Sequence, residues 1–350
     1  MERLVDLTPD REAEWEAFAD EHGGVFHSLG WKRALEETFG YASRYLLLLD
    51  RDDRLAGVLP LMIARNLRLA RVGVSLPFVN DLDLCARDAA ARAALIELLP
   101  TLPARLDVRS VEVRLLEDDL AGREDSAASI DRSNVTFFLP LEGGEEAVLA
   151  GCTATNRNHV RKVYRRDLFV ADTESQDLDA FYALFARRQK ELGTPVPRIH
   201  FYRRIREHLP GKTVVLLVRL RETGTPVGAM FLFASGDTLH YVWGGGDVKY
   251  NREYVNVFMY WEALRYAIAR GFRRLDLGRS STAGGHGGTY AFKAQFGGVA
   301  RTLTYARYGG GNASTADERS QLSGAVEIWK KLPDAITSPL GAFLIRYVIP

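Results

Sequence analysis

The sequence predicts an α/β protein of mixed sheets arranged in two similar halves. A unit of helix, glycine, strand, polar turn and strand occurs twice at nearly the same length, and each half closes on a further strand. In the first copy Ser28 stands as N-cap, Trp31, Leu35 and Phe39 recur at helical spacing, and Gly40 stops the helix. The stretch "RYLLLLDRDDRLAGVLPLMIA" then reads as a strand, a charged turn over 50–54 and a second strand. In the second copy "FYRRIREHLPGKTVVLLVRLRETGTPVGAMFLFA" gives a helix, Gly211, a strand, a polar turn and a strand, with Gly228 standing where Gly57 stands. Gly40 to Ala64 spans 25 residues and Gly211 to Ala234 spans 24, so the halves read as copies of one unit. The alternative is that a helix followed by a hairpin is common enough to recur by accident.

The closing strands are "SVEVRLLE" at 110–117 and "RRLDLG" at 273–278. Before the second of these, Asn256 is expected to cap a helix whose buried stripe is Val257, Tyr260, Trp261, Leu264 and Ile268, with Gly271 ending it. Residues 117–132 are polar and unpatterned and predict a loop, and "GGGNASTADER" at 309–319 predicts a linker. The expected division is a first domain over 1–150, a second over 151–308, and a linker with a tail over 309–350. The tail mixes apolar residues with Lys330 and Lys331, which fits either contact with a membrane surface or packing back on the body.

A chain of 350 residues, 47% hydrophobic and 26% charged, has the composition of a globular protein with a sizeable core. Its 46 Lys and Arg nearly cancel 45 Asp and Glu, so no global charge points to DNA or to disorder. Only Cys85 and Cys152 occur, without paired spacing, which supports neither a disulfide framework nor zinc. The seven histidines show no HExxH, so no metal is expected, and His200 and His208 read as surface groups. Charges occupy the N-terminus where a signal peptide needs an apolar run, and no run approaches a membrane span. The expectation is therefore a cytoplasmic protein.

Two segments carry chemistry. "NRNHVRKVYRRD" places Arg157, Arg161 and Arg165 at helical spacing with Lys162 and Arg166 beside them, while Val160, Val163 and Tyr164 turn to the core. A solvated helix face is one reading. Five cations with only Asp167 next door favour the other, a surface that meets phosphate oxygens. The segment "DLGRSSTAGGHGGTYAFKAQFGG" at 276–298 follows a strand with a glycine-rich loop and then a short helix. It is neither a Walker loop nor a dinucleotide fingerprint, and its aromatic residues argue against a linker. Lys293 would project from that helix on the Tyr290 side, placed to meet an anion or a developing oxyanion. A GxSxG is absent and Cys152 has no setting for a nucleophile.

With these residues in view, the chain resembles the FemAB-like branch of the Gcn5-related N-acyltransferase (GNAT) superfamily. "NRNHVRKVYRRDL", "LGTPVPRIHFYRRI", "YVWGGGD" followed by "VNVFMYWEALRYAIARGFRRLDLGRS", and "GTYAFKAQFGG" carry the likeness in the second half. "FHSLGWKRALEETFGY", "GVLPLMIAR", "VSLPF" and "IWKKLP" extend it to the first half and the tail, and are similar to the subgroup tied to exopolysaccharide loci and exosortase-type sorting. The resemblance implies two tandem GNAT-like domains and transfer of an activated acyl group to an amine, without a bound cofactor. The implied donor is an aminoacyl-tRNA or an acyl thioester. The implied catalytic residues are Lys293, Asp276 and Arg279. Arg157, Arg161, Lys162, Asn256, Trp243, Ser280 and Tyr290 are implied at the substrate. Lys293 and Arg279 would meet the oxyanion or a donor phosphate. Asp276 would orient a neighbour, help take the amine proton, or simply pair with Arg279. "WGGGD" and His286-Gly287 depart from the family pattern, and "RETGTP" at 221–226, a turn between strands, is rejected as a coenzyme A loop.

Three functions follow. The first is an aminoacyl- or acyltransferase acting on a cell-wall, peptidoglycan or exopolysaccharide precursor, with tRNA as a partner and with peripheral contact at the inner membrane face. The second is a small-molecule acyltransferase using acyl-CoA or acyl carrier protein. The third is a non-catalytic binding protein of an assembly complex, disfavoured by the presence of Asp276, Arg279 and Lys293.

Overall fold

A computed structural model describes residues 2–80, 82–116, 120, 128–282, 288–310 and 323–348. The repeat is present, and its register is the same in both halves. In the first, Arg3–Asp6 pairs antiparallel with Leu46–Leu49, which pairs antiparallel with Leu55–Leu59. In the second, Phe169–Asp172, Thr213–Leu220 and Pro226–Ser235 repeat that order. Each half then makes one parallel pair across a helical crossover: Arg71–Val74 with Ser110–Leu115, and Thr238–Gly246 with Arg274–Asp276. The second strand expected in the first half is two strands. Pro60 offers no N–H to a ladder, so pairing breaks there and Met62–Arg65 joins the larger sheet instead.

The halves exchange strands at their seam. Ala128–Pro140 lies beside Arg274–Asp276, Val299–Gly309 lies beside Ser110–Leu115, and these two long strands pair antiparallel with each other. One sheet therefore runs from Phe169–Asp172 to Ala42–Ser43 through both halves. The expected loop over 117–132 is corrected at its end, because 128–131 pairs with Tyr305–Tyr308 and a partner strand overrides weak local pattern. Gly309 ends a strand, and 311–319 of the expected linker lie outside the described residues.

The helix Leu29–Phe39 starts as expected, with the Ser28 Oγ accepting from Gly30 N–H at 3.1 Å and Gly40 at φ 67°. It packs on Ile199–His208, its counterpart in the second half, and Gly30 permits the approach: a Cβ there would sit 2.4 Å from the His208 carbonyl oxygen. Around this contact Trp31, Phe39, Phe78, Phe201, Tyr202, Phe233 and Trp243 form one aromatic core shared by both halves. The tail forms two helices, Ser323–Lys331 and Asp334–Val348. Ile345 and Trp329 are buried and the Tyr41 hydroxyl donates to the Arg346 carbonyl at 2.9 Å, so the tail packs on the body, while Ile336, Leu340 and Phe343 stay exposed. No helix among the described residues is long and apolar enough to cross a membrane.

Candidate active site

The parallel pair of the second half parts early. Thr238, Leu239 and His240 pair with Arg274, Leu275 and Asp276, and pairing ends there. Gly278 turns the chain away at φ 78°, where a Cβ would lie 2.7 Å from the Tyr241 carbonyl oxygen, so only glycine fits without strain. Into this fork the helix Thr289–Ala294 inserts Lys293, whose side chain is nearly buried at 4% exposure. Its Nζ donates to the carbonyls of Gly278 and Arg279, both at 2.8 Å. Burial lowers its pKa from 10.5 to about 7, opposed by the charge of Asp276. An ammonium has three N–H groups, and the loop carbonyls take two of them.

Asp276, 3% exposed, is fully engaged. Its Oδ1 accepts from the Thr136 hydroxyl and, at 2.8 Å, from the Gly278 N–H, and its Oδ2 lies 3.1 Å from Nδ1 of His240. The structure thus gives Asp276 a neighbour to orient, and that neighbour is not Arg279, whose side chain is exposed and makes no ion pair among the described residues. Thr136 and His240 escaped the sequence reading because a strand partner 140 or 36 residues away leaves no local spacing to detect.

On the helix side of the fork a groove of about 260 Å³ is lined by His159, Asn251, Tyr254, Asn256, Val257, Phe292 and Gln295. It opens at the start of Val255–Ala269, where free backbone N–H groups favour an anion. That helix begins one residue before the expected cap. A 3₁₀ segment, Val248–Glu253, delivers Tyr254 at φ 65° as the N-cap residue, and Asn256 lies in the first turn, donating to the Asn251 side-chain oxygen at 3.1 Å. Tyr254 is a left-handed non-glycine residue. Its ring stacks on His159 with centroids 4.4 Å apart, and Lys162 and Arg166 sit over it at 5.2 and 5.9 Å.

The cationic helix Ala154–Arg166 forms as expected, with the Thr153 hydroxyl capping it and Val160 and Val163 buried. Arg157 is spent on the carbonyls of Ala150 and Cys152. Arg161, Lys162, Arg165 and Arg166 are exposed and none is ion-paired among the described residues, because Asp167 is taken by Arg221 at 2.6 Å. Lys162 and Arg166 reach only neutral oxygens, the Tyr254 hydroxyl at 3.5 Å and the Arg252 carbonyl at 3.3 Å.

Other expected residues lie apart from the groove. Trp243, 9% exposed, packs in the aromatic core, edge-on to Phe201, Tyr202 and Phe231. Ser280 is buried with its hydroxyl unpartnered, in a short strand beside Val135. Tyr290 is half-buried, edge-on to Phe137 at 5.0 Å. His286 and Gly287 lie outside the described residues. Cys152 is buried against the Phe296 carbonyl, and burial pushes its thiol pKa up, the opposite of an activated nucleophile. No metal-binding cluster of His, Cys, Asp or Glu occurs among the described residues.

The first half has a matching fork that is closed. Glu112 takes the register position of Asp276, and Val74 that of His240. The fork is filled by Arg114, which donates to the carbonyls of Leu76 and Val79 and pairs with Glu112 at 3.0 Å. Only the second fork combines a lysine, a carboxylate and a histidine.

Residues 152–294, the segment that contains this fork, match the family model described as "Acetyltransferase (GNAT) domain". Among solved structures the chain is similar to FemX, at 13% identity and a TM-score of 0.66, over 91% of this chain and 99% of that one. Residues 152–294 thus carry a GNAT-type acetyltransferase domain, and the chain as a whole has the fold of tandem GNAT proteins. Its fold is also similar to L-PGS from Bacillus licheniformis (12% identity, TM-score 0.56, 98% of each chain covered). A "Tandem GNAT protein from the clavulanic acid biosynthesis pathway" is similar at 13% identity and TM-score 0.55, over 90% of this chain and 100% of that one. No curated protein sequence matches significantly. The expected turn "RETGTP" joins Thr213–Leu220 to Pro226–Ser235, consistent with its rejection as a coenzyme A loop.

Proposed function

We propose that this GNAT protein transfers an aminoacyl group from aminoacyl-tRNA to an amine of a cell-envelope precursor, of the peptidoglycan or exopolysaccharide class. The observation that carries the reading is the row of unpaired cations beside the groove. Arg161 to Arg166 spans about 7 Å of helix axis, and side-chain reach widens that further. Together with Lys162 and Arg165 it offers four charges to a run of phosphates rather than to a single diphosphate. The groove takes the acyl-bearing end of the donor, against Asn256 and the helix N-terminus. An ester donor is already activated, so alignment and oxyanion stabilisation suffice and no covalent nucleophile is needed. Lys293 supplies its third N–H to the oxyanion, and Arg279, exposed on the loop that Lys293 holds, meets a phosphate.

The protein acts in the cytoplasm on this reading, and the exposed apolar residues of the last helix, Ile336, Leu340 and Phe343, rest on the membrane face where lipid-linked precursors lie. Thermal shift with total aminoacylated tRNA, deacylated tRNA, acyl-CoA and acyl carrier protein tests the donor, since a ligand of the native state raises the melting temperature. A shift with the tRNA samples that disappears in an Arg161→Ala, Arg165→Ala variant supports the proposal. A shift with acyl-CoA or acyl carrier protein alone overturns it in favour of a thioester donor.

A further inference from the structure

The strand alternation places the two sides of the fork in different surroundings. Val135, Phe137, Leu139, Leu239, Leu275 and Leu277 face the core under Val255–Ala269, the side from which Lys293 enters. Thr136, His240 and Asp276 alternate with them and face the other way. There the His240 ring meets Phe138 edge-on at 6.4 Å and Phe26 of the first half at 5.3 Å. The His240 side chain is 14% exposed, its Nδ1 is held by Asp276, and its Nε2 has no partner among the described residues. Asp276 is in turn fixed by Thr136 and by the N–H of Gly278, the residue whose carbonyl Lys293 holds. A carboxylate on Nδ1 fixes the tautomer with the proton on Nδ1 and a lone pair on Nε2.

We propose that His240 accepts the proton of the attacking amine, with Asp276 and Thr136 as positioning residues, so that acceptor and donor approach the fork from opposite faces of the sheet. The inference rests on the acyltransferase reading. The amine nitrogen bonds to the acyl carbon, and the tetrahedral adduct loses its N–H proton to Nε2. The bond from acyl carbon to the donor oxygen then breaks, and that oxygen leaves with the proton from the His240 imidazolium. The products are an amide and the free hydroxyl of the donor, and His240 is regenerated. The first fork, with Val74 in this position, cannot perform the step.

The charged group facing His240 is Asp276 from the adjoining strand; Phe138, Phe26 and Phe233 contribute apolar surface, and Lys293 stands behind Asp276 on the opposite face. His240→Gln is expected to lower kcat about 10²- to 10⁴-fold with KM and melting temperature nearly unchanged, to remove the acidic limb of the pH–rate profile, and to regain activity with added imidazole. Asp276→Asn is expected to lower kcat while keeping that limb. A His240→Gln enzyme within twofold of wild type overturns the proposal. Nitrogen NMR of wild-type His240 needs no turnover: a proton on Nδ1 with Nε2 bare supports the proposal, and a proton on Nε2 alone overturns it. A wild-type protein that transfers nothing from any donor defeats the acyltransferase reading and, with it, the proton step, whatever the tautomer.

Discussion

Lys293 makes a stability prediction that needs no substrate. Folded, its ammonium gives up a proton near pH 7 because burial disfavours the charge; unfolded, it does so near 10.5. Between those values the unfolded chain binds more protons than the native one, so the linkage slope is positive and stability rises with pH. From pH 7 to pH 9 the unfolded lysine stays charged while the native one, half-neutral at the start, loses the rest of its charge. Integration gives about 2 kcal/mol of added stability from this side chain. Lys293→Met removes the titration. It also removes the buried-charge penalty and leaves two carbonyls without donors, opposing effects of about 1–3 kcal/mol per unpaired group. The absolute stability of the variant is therefore not the test; its pH dependence is. Urea denaturation of both proteins at pH 7, 8 and 9 should show wild type gaining on the variant by about 2 kcal/mol, with other titrating groups cancelling in the difference. Parallel curves would refute a lysine depressed by burial, and wild type losing ground would refute the sign. In turnover assays the same variant should lose about 10²- to 10³-fold in kcat, as expected when an oxyanion donor is removed.

Other expectations follow from single contacts. Gly278→Ala places a Cβ 2.7 Å from the Tyr241 carbonyl at φ 78° and should destabilise by about 1–3 kcal/mol; a variant as stable as wild type would show that the fork can open. If Arg161, Lys162, Arg165 and Arg166 contact tRNA, log affinity should fall with log salt at a slope of about −3, and replacing Arg161 and Arg165 by Ala should reduce its size by about 1.5. An unchanged slope would place the tRNA elsewhere. Ile336→Ser with Leu340→Ser and Phe343→Ser should abolish co-sedimentation with anionic vesicles, and a wild-type protein left in the supernatant would remove the tail from the membrane.

What the sequence determined by itself is whatever rests on local pattern. Helical spacing and caps marked Leu29–Phe39 and the cationic helix, and the repeated unit foretold two halves whose strands share one register. Lys293 and Asp276 were legible because each lies in a short distinctive segment. Tertiary structure decided the rest, because the deciding contacts join residues far apart in the chain. His240 reaches Asp276 only through parallel pairing across a whole helical crossover, and Thr136 reaches it from a strand exchanged at the seam. The same distance effect moved Trp243 into the aromatic core, since its partner Trp31 comes from the other half. It also sorted the cations. Asp167 stands next to the cationic helix in sequence, but Arg221 takes it in space, and that ion pair leaves the Arg161–Arg166 face without a carboxylate.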